Sequence, residues 1–182
     1  SNARYVRQFI NKFLLIETGN CLLIVDQHAA QERIMFEKFK DQIENRNIEV
    51  QPLLVPLTIG LTPTERIAWE EMNLKMSAIG IETSLFDDDT LAIQTHPLLL
   101  KSIDQVVRSL LGGDDVARCD HLTIAKRACK ASIVSGDKLE STQAEFQRKQ
   151  LLACKDPFTC PHGRPTVIEL SESFLDKQFL RT

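Results

Sequence analysis

The apolar run Cys21-Leu22-Leu23-Ile24-Val25 passes without a break into Asp26-Gln27-His28-Ala29-Ala30-Gln31-Glu32-Arg33-Ile34-Met35-Phe36-Glu37. A chain with this junction must end a buried strand against acidic and imidazole side chains. Residues 8–17 form a second apolar run, and Gly19-Asn20 separates the two, which is the pattern of a β-hairpin. Residues 29–46 read as the helix that follows. At about 100° per residue, His28, Glu32, Met35, Phe36, Phe39 and Ile43 fall on one stripe roughly 100° wide. Its four apolar members make the stripe core-facing, so His28 and Glu32 lie at the N-terminal end of the buried face.

A carboxylate in that position must be paired, hydrogen-bonded or bound to metal. Two arrangements satisfy it. His28 and Glu32, spaced i and i+4, can reach one ion, with Asp26 as a third ligand from the strand end. Alternatively, Asp26 caps the helix and Glu32 meets a buried arginine. Glu37 falls opposite the stripe with Arg33 at i−4, the plain pattern of an exposed ion pair.

Cys160-Pro161-His162-Gly163-Arg164-Pro165 is the second unusual stretch. If it is extended, residues two apart point the same way, and Cys160 and His162 face one site. With Asp26, His28 and Glu32 they make a mixed sulfur, nitrogen and oxygen ligand set that suits zinc or a pair of divalent ions. Packing alone also accounts for an isolated Cys-x-His. Arg164 beside such a site suits a phosphate, and its plain role is a surface arginine. Cys129 reads as a small buried hydrophobe in a helix whose Lys126, Arg127 and Lys130 form either a local DNA footprint or a solvated face.

Elsewhere, residues 50–61 are extended and interrupted by Pro52 and Pro56, as suits an edge strand. Thr62-Pro63 opens a helix over 64–80 that Gly80 ends. Residues 81–86 and 90–97 pair as a hairpin across Asp87-Asp88-Asp89. Helices follow over 98–111, 121–134 and 141–154, then a loop over 156–165, a strand over 166–170 and a helix over 171–180. This mixture predicts an α+β fold in two lobes, with boundaries near residues 50 and 118. Ser1-Asn2-Ala3 reads as a cloning scar outside the fold, and the abrupt change to Arg4-Tyr5-Val6 predicts an excised piece of a longer protein. The net charge of −3 argues against a strong non-specific nucleic-acid binder, so DNA contact is expected to be local or assisted. The five cysteines are unevenly spaced and odd in number, which predicts thiols in a reducing compartment. No apolar run approaches the roughly 20 residues of a membrane span.

Together these stretches resemble the C-terminal domain of the MutL family of DNA mismatch-repair proteins. The family's endonuclease motif is DQHA, two residues, Glu, four residues, Glu. Asp26-Gln27-His28-Ala29, Glu32 and Glu37 match every fixed position. The later motifs follow in order as Ala128-Cys129-Lys130, Cys160-Pro161-His162-Gly163-Arg164-Pro165 and Phe179-Leu180-Arg181. The resemblance covers residues 4–182. The third motif carries lysine where some relatives carry arginine, which keeps the charge and loses bidentate phosphate geometry.

The resemblance implies a dimerisation and metal-binding lobe from both chain ends (4–50 and 119–182), an inserted regulatory lobe (51–118), and a helix joining them. It implies a DNA-nicking endonuclease that uses manganese for catalysis, with zinc in a structural or regulatory role. Asp26, His28, Glu32, Cys160 and His162 take the place of the metal ligands and Glu37 a supporting one. Lys130, Arg164 and Arg181 take that of phosphate contacts. Gln51, Leu53, Leu54, Val55 and Pro56 resemble a peptide that docks on the replication sliding clamp. The implied partners are a second copy of the chain, DNA, the clamp and the mismatch-recognition protein MutS. ATP would act only through an N-terminal region that these residues do not include, and the implied location is the bacterial cytoplasm at the nucleoid. Hydrolysis by two ions roughly 3.5–4 Å apart is the expected mechanism. A non-catalytic dimerisation module with a structural zinc is the alternative. A zinc hydrolase of peptides or small molecules is poorly supported, since neither HExxH spacing nor a substrate-pocket motif occurs.

Overall fold

The computed structural model describes residues 3–113, 119–133 and 138–181. The fold is α+β. In chain order the elements are β1 (Ala3–Phe9), β2 (Phe13–Thr18), β3 (Cys21–Asp26), α1 (Gln27–Glu44), β4 (Val50–Gly60), α2 (Pro63–Ala78) and β5 (Glu82–Leu85). There follow β6 (Thr90–Pro97), α3 (Ile103–Leu111), α4 (His121–Ser132), α5 (Ser141–Leu152), β7 (Val167–Ser171) and α6 (Glu172–Gln178). Ser1, Asn2 and the expected lobe boundary near residue 118 lie outside the described residues. Among the described residues no helix is long and apolar enough to cross a membrane. Two compact units emerge, one from Ser1–Ile34 with Val134–Thr182 and one from Met35–Ile133.

The first unit is built on an antiparallel sheet of order β1-β2-β3-β7. Leu14, Ile16 and Val25 alternate onto one face, where they pack with Ala30, Ile34, Ala144 and Leu151. Gly19-Asn20 turns β2 into β3 as the sequence predicts. β1 was not expected, because residues 8–17 read as one strand. In fact the chain reverses at Ile10 and Asn11, which take φ of 45° and 54°, and the Lys12 N–H returns to the Phe9 carbonyl at 3.1 Å. A β-branched residue rarely enters that region, so Ile10 carries no turn signal. Ala3, expected outside the fold, is the first residue of β1 and pairs opposite Thr18.

The second unit holds a sheet of order β4-β6-β5 with α2, α3 and α4. Its core includes Phe39, Met72, Met76, Ile79, Ile81, Leu91, Ile93, Val106 and Leu110. Thr62 and Glu65 form a reciprocal capping box at the start of α2. At its end Gly80 (φ 86°) permits two closing bonds, Gly80 N–H to Ser77 O at 2.9 Å and Ile81 N–H to Met76 O at 3.0 Å. β4 is an edge strand, and its ladder is interrupted between Pro52 and Leu57, leaving Leu54 and Val55 exposed. α3 starts at Ile103 rather than Leu98. Ser102 is left-handed (φ 48°), so no right-handed helix can run through it from Leu98.

α1 does not bury a single stripe. Its first half buries Ala30 and Ile34 in one core, while Met35 and Phe39 enter the other. Ala30 and Ile34 lie roughly opposite the predicted stripe.

Candidate metal centre

Antiparallel pairing puts the start of β7 beside the end of β3, with Val25 opposite Val167. Since β3 runs straight into α1, the loop before β7 is delivered to the first turns of that helix. The Asp26 N–H extends the ladder by donating to the Thr166 carbonyl at 2.9 Å. Thr166 is buried, donates its hydroxyl to the Pro157 carbonyl, and donates its N–H to the Phe158 carbonyl at 3.0 Å.

The loop is not extended. The Gly163 N–H reaches the Cys160 carbonyl at 3.0 Å, closing a β-turn with Pro161 at its second position. Gly163 follows at φ 82°, and the Cys160 N–H meets the Arg164 carbonyl at 2.8 Å. The expected geometry therefore changes: the turn, not strand alternation, aims Cys160 and His162 at one site. The N–H groups of His162 and Arg164 both point at the Cys160 sulfur, each at 3.4 Å.

Glu32 is the centre of the cluster and is 1 % exposed. Its Oε1 lies 3.1 Å from His28 Nε2, and its Oε2 lies 3.2 Å from His162 Nδ1. The Arg164 guanidinium lies 3.3 Å from Oε2 and 3.5 Å from Oε1. The Cys160 sulfur, first, and then the Glu32 carboxylate raise the Arg164 pKa above its ordinary range. Ligand atoms of Glu32, Cys160 and His162 all lie within 4.8 Å of one another. Carboxylate, thiolate and imidazole at this spacing fit a divalent cation, zinc in particular.

The other expected positions are placed as follows. Asp26 Oδ1 accepts the Ala29 N–H at 2.9 Å and so caps α1. Glu37 is half-buried, and it belongs with exposed Lys130 to the Met35–Ile133 unit. Arg181 lies over the Phe179 ring, 5.9 Å from its centroid. The Gln51 side chain donates to the Pro52 carbonyl at 3.1 Å, on the edge strand that also carries Leu53 and Pro56.

Two supporting residues escaped the sequence reading. Arg33, expected at the surface beside Glu37, has a side chain only 11 % exposed. Its Nε donates to the Thr159 carbonyl at 2.6 Å and its guanidinium reaches Asp156 at 3.3 Å, which ties α1 to the residue before Cys160. Gln27 is buried, with its amide oxygen on Gln8 Nε2 at 2.6 Å and its carbonyl on Gln147 Nε2 at 3.0 Å. Neither role leaves a local signal, because the Thr159, Asp156, Gln8 and Gln147 partners are remote in sequence.

The model of the MutL C-terminal dimerisation domain matches residues 6–139. The DNA mismatch repair protein MutL of Clostridium perfringens is 31 % identical over 186 residues, covering 98 % of this chain and 28 % of the relative. The proteins of that name from Clostridium botulinum and Ligilactobacillus salivarius are 35 % and 34 % identical over 188 residues, with the same two shares. The chain spans little more than a quarter of the length of these relatives. With a family model matched over most of its length, the chain belongs to the family of MutL C-terminal dimerisation domains.

Proposed function

We propose that this chain is the dimerisation and metal-dependent DNA-nicking domain of a mismatch-repair protein. The observation that carries the reading is the buried Glu32 carboxylate, met by Cys160 and His162 from a loop about 130 residues away. In this reading Glu32, Cys160 and His162 hold a divalent cation, with Asp26 and His28 beside it. When bound, manganese supplies charge stabilisation at a phosphoryl oxygen and a more acidic water, with zinc in a structural role. Glu32 is shielded from solvent, so its carboxylate is held ready for a cation. Arg33 holds the Thr159 carbonyl and so fixes where the Cys160 turn begins. Lys130, Arg164 and Arg181 meet DNA phosphates, and Glu37 supports the helix from behind.

Self-association fits the outer face of the first sheet. There Leu15 pairs with Ile24 and Ile24 with Ile168, an apolar row opposite the core face. The edge strand β4, with Leu54 and Val55 exposed, fits docking on a sliding clamp. DNA, the clamp and MutS are the proposed partners, in a bacterial cytoplasm at the nucleoid. ATP enters through a region of the full-length protein outside these residues. The test is nicking of supercoiled plasmid by the full-length protein with manganese and clamp. Asp26→Asn and His28→Ala are expected to abolish nicking, and wild-type rates in both would overturn the assignment.

One observation favours a second reading. Because Asp26 caps α1, Glu32, Cys160 and His162 also form a set suited to a single structural zinc in a non-catalytic dimerisation module. That reading predicts zinc loss and a lower melting temperature in the variants, with no nuclease activity to lose.

A further inference from the structure

Among the described residues that meet Glu32, Arg164 is the one that cannot become a ligand. Histidine can present a lone pair on either ring nitrogen, and a thiol loses its proton, but guanidinium has no free acceptor and stays protonated. It nevertheless covers the central candidate ligand. Its guanidinium lies 3.3 Å from Glu32 Oε2, the oxygen that also meets His162 Nδ1, and its backbone N–H meets the Cys160 sulfur at 3.4 Å. A dication held by the same oxygen and sulfur would face this fixed positive charge a few ångströms away, and the two repel. The guanidinium has an exit, since the Arg164 side chain is 57 % exposed against 1 % for Glu32.

We propose that the Arg164 guanidinium and a divalent cation compete for the Glu32 carboxylate, so that cation binding displaces the guanidinium and turns it into solvent. The inference rests on the metal reading above and adds a regulatory part to it. Arg164 acts as the internal counter-ion of a buried carboxylate and sets how tightly the cation is held. The coupling is reciprocal: whatever draws the guanidinium outward, an anion included, tightens the cation site by the same factor that the cation loosens Arg164.

The experiment is zinc affinity of the chain, measured by competition with a chromophoric chelator, for wild type, Arg164→Gln and Arg164→Lys. Arg164→Gln is expected to bind zinc about tenfold more tightly, within the usual span of coupling between sites. Arg164→Lys, which keeps the charge, is expected to stay closer to wild type. In chelator Arg164→Gln melts below wild type, because Glu32 has lost its counter-ion, and added zinc removes that deficit. Equal or weaker zinc binding by Arg164→Gln overturns the competition, while leaving the metal site standing. The metal reading fails separately if Cys160→Ser and His162→Ala bind zinc as wild type does, and the competition falls with it.

Discussion

Glutamine in place of Glu32 keeps the side-chain shape and removes the charge, which isolates what the carboxylate does. Both oxygens are engaged: Oε1 by His28 at 3.1 Å, Oε2 by His162 at 3.2 Å and Arg164 at 3.3 Å. Turned toward the Oε2 position, the NH2 faces the Arg164 guanidinium, which can only donate; turned toward Oε1 it meets His28 Nε2, which accepts as the other tautomer, so the lost charge opposite Arg164 is the cost common to both. A hydrogen bond to a charged group contributes about 1.5–3 kcal/mol, and leaving a buried donor unmet costs a similar amount. The His28, His162 and Arg164 side chains are 30 %, 26 % and 57 % exposed, so water recovers part of the loss. A net cost of about 2–3 kcal/mol follows. For a chain of this size each kcal/mol lowers the melting temperature by about 2–4 °C, so Glu32→Gln is expected to melt about 4–12 °C lower. The assay is thermal unfolding by circular dichroism in chelator at neutral pH, which keeps cation binding out of the comparison. Melting within about 1 °C of wild type would refute the reasoning, because a carboxylate that anchors three partners cannot be neutralised at no cost.

Arg33→Ala is expected to cost about 2 kcal/mol through the lost bond to the Thr159 carbonyl and to weaken zinc binding, read by denaturant midpoint and chelator competition; unchanged affinity would release Arg33 from any positioning role. Gly80→Ala is expected to destabilise by about 1–3 kcal/mol, since φ is 86° and a Cβ would meet Val50 Cγ1 at 3.0 Å and Ile48 Cγ2 at 3.1 Å. A urea midpoint equal to wild type would contradict it. The Glu65 pKa is lowered by the Thr62 backbone N–H first, against the opposing effect of burial, with help from the Thr62 hydroxyl and Arg108. A depressed folded-state value means that this stabilisation is complete above the ordinary glutamate range and is lost as pH falls through the folded value. Glu65→Ala should therefore lower the melting temperature at pH 7, with the deficit shrinking as pH falls through the folded-state value.

The hairpins around Gly19-Asn20 and Asp87-Asp88-Asp89 were legible because strand alternation and turn chemistry are local. The capping box at Thr62 and Glu65 and the Gly80 stop lie in the sequence for the same reason. β1 was not legible, since its turn uses Ile10, whose side chain disfavours the conformation it adopts. The early start predicted for α3 failed because apolar spacing carries no sign of the left-handed backbone at Ser102.

For the candidate site, the i and i+4 spacing of His28 and Glu32 followed from helical periodicity, and so did the need to satisfy a buried carboxylate. What satisfies it is a tertiary matter. Asp26 caps the helix through Oδ1, and Arg33 ties the loop to the helix through the Thr159 carbonyl. The Cys160–Gly163 turn and its aim at Glu32 depend on β7 pairing with β3, a contact between segments far apart in the chain. By itself the sequence determined the periodicities, the turns and the presence of a charge that had to be answered. Only the tertiary structure decided which groups answer it, because burial and hydrogen-bond partners are set by what the chain brings close.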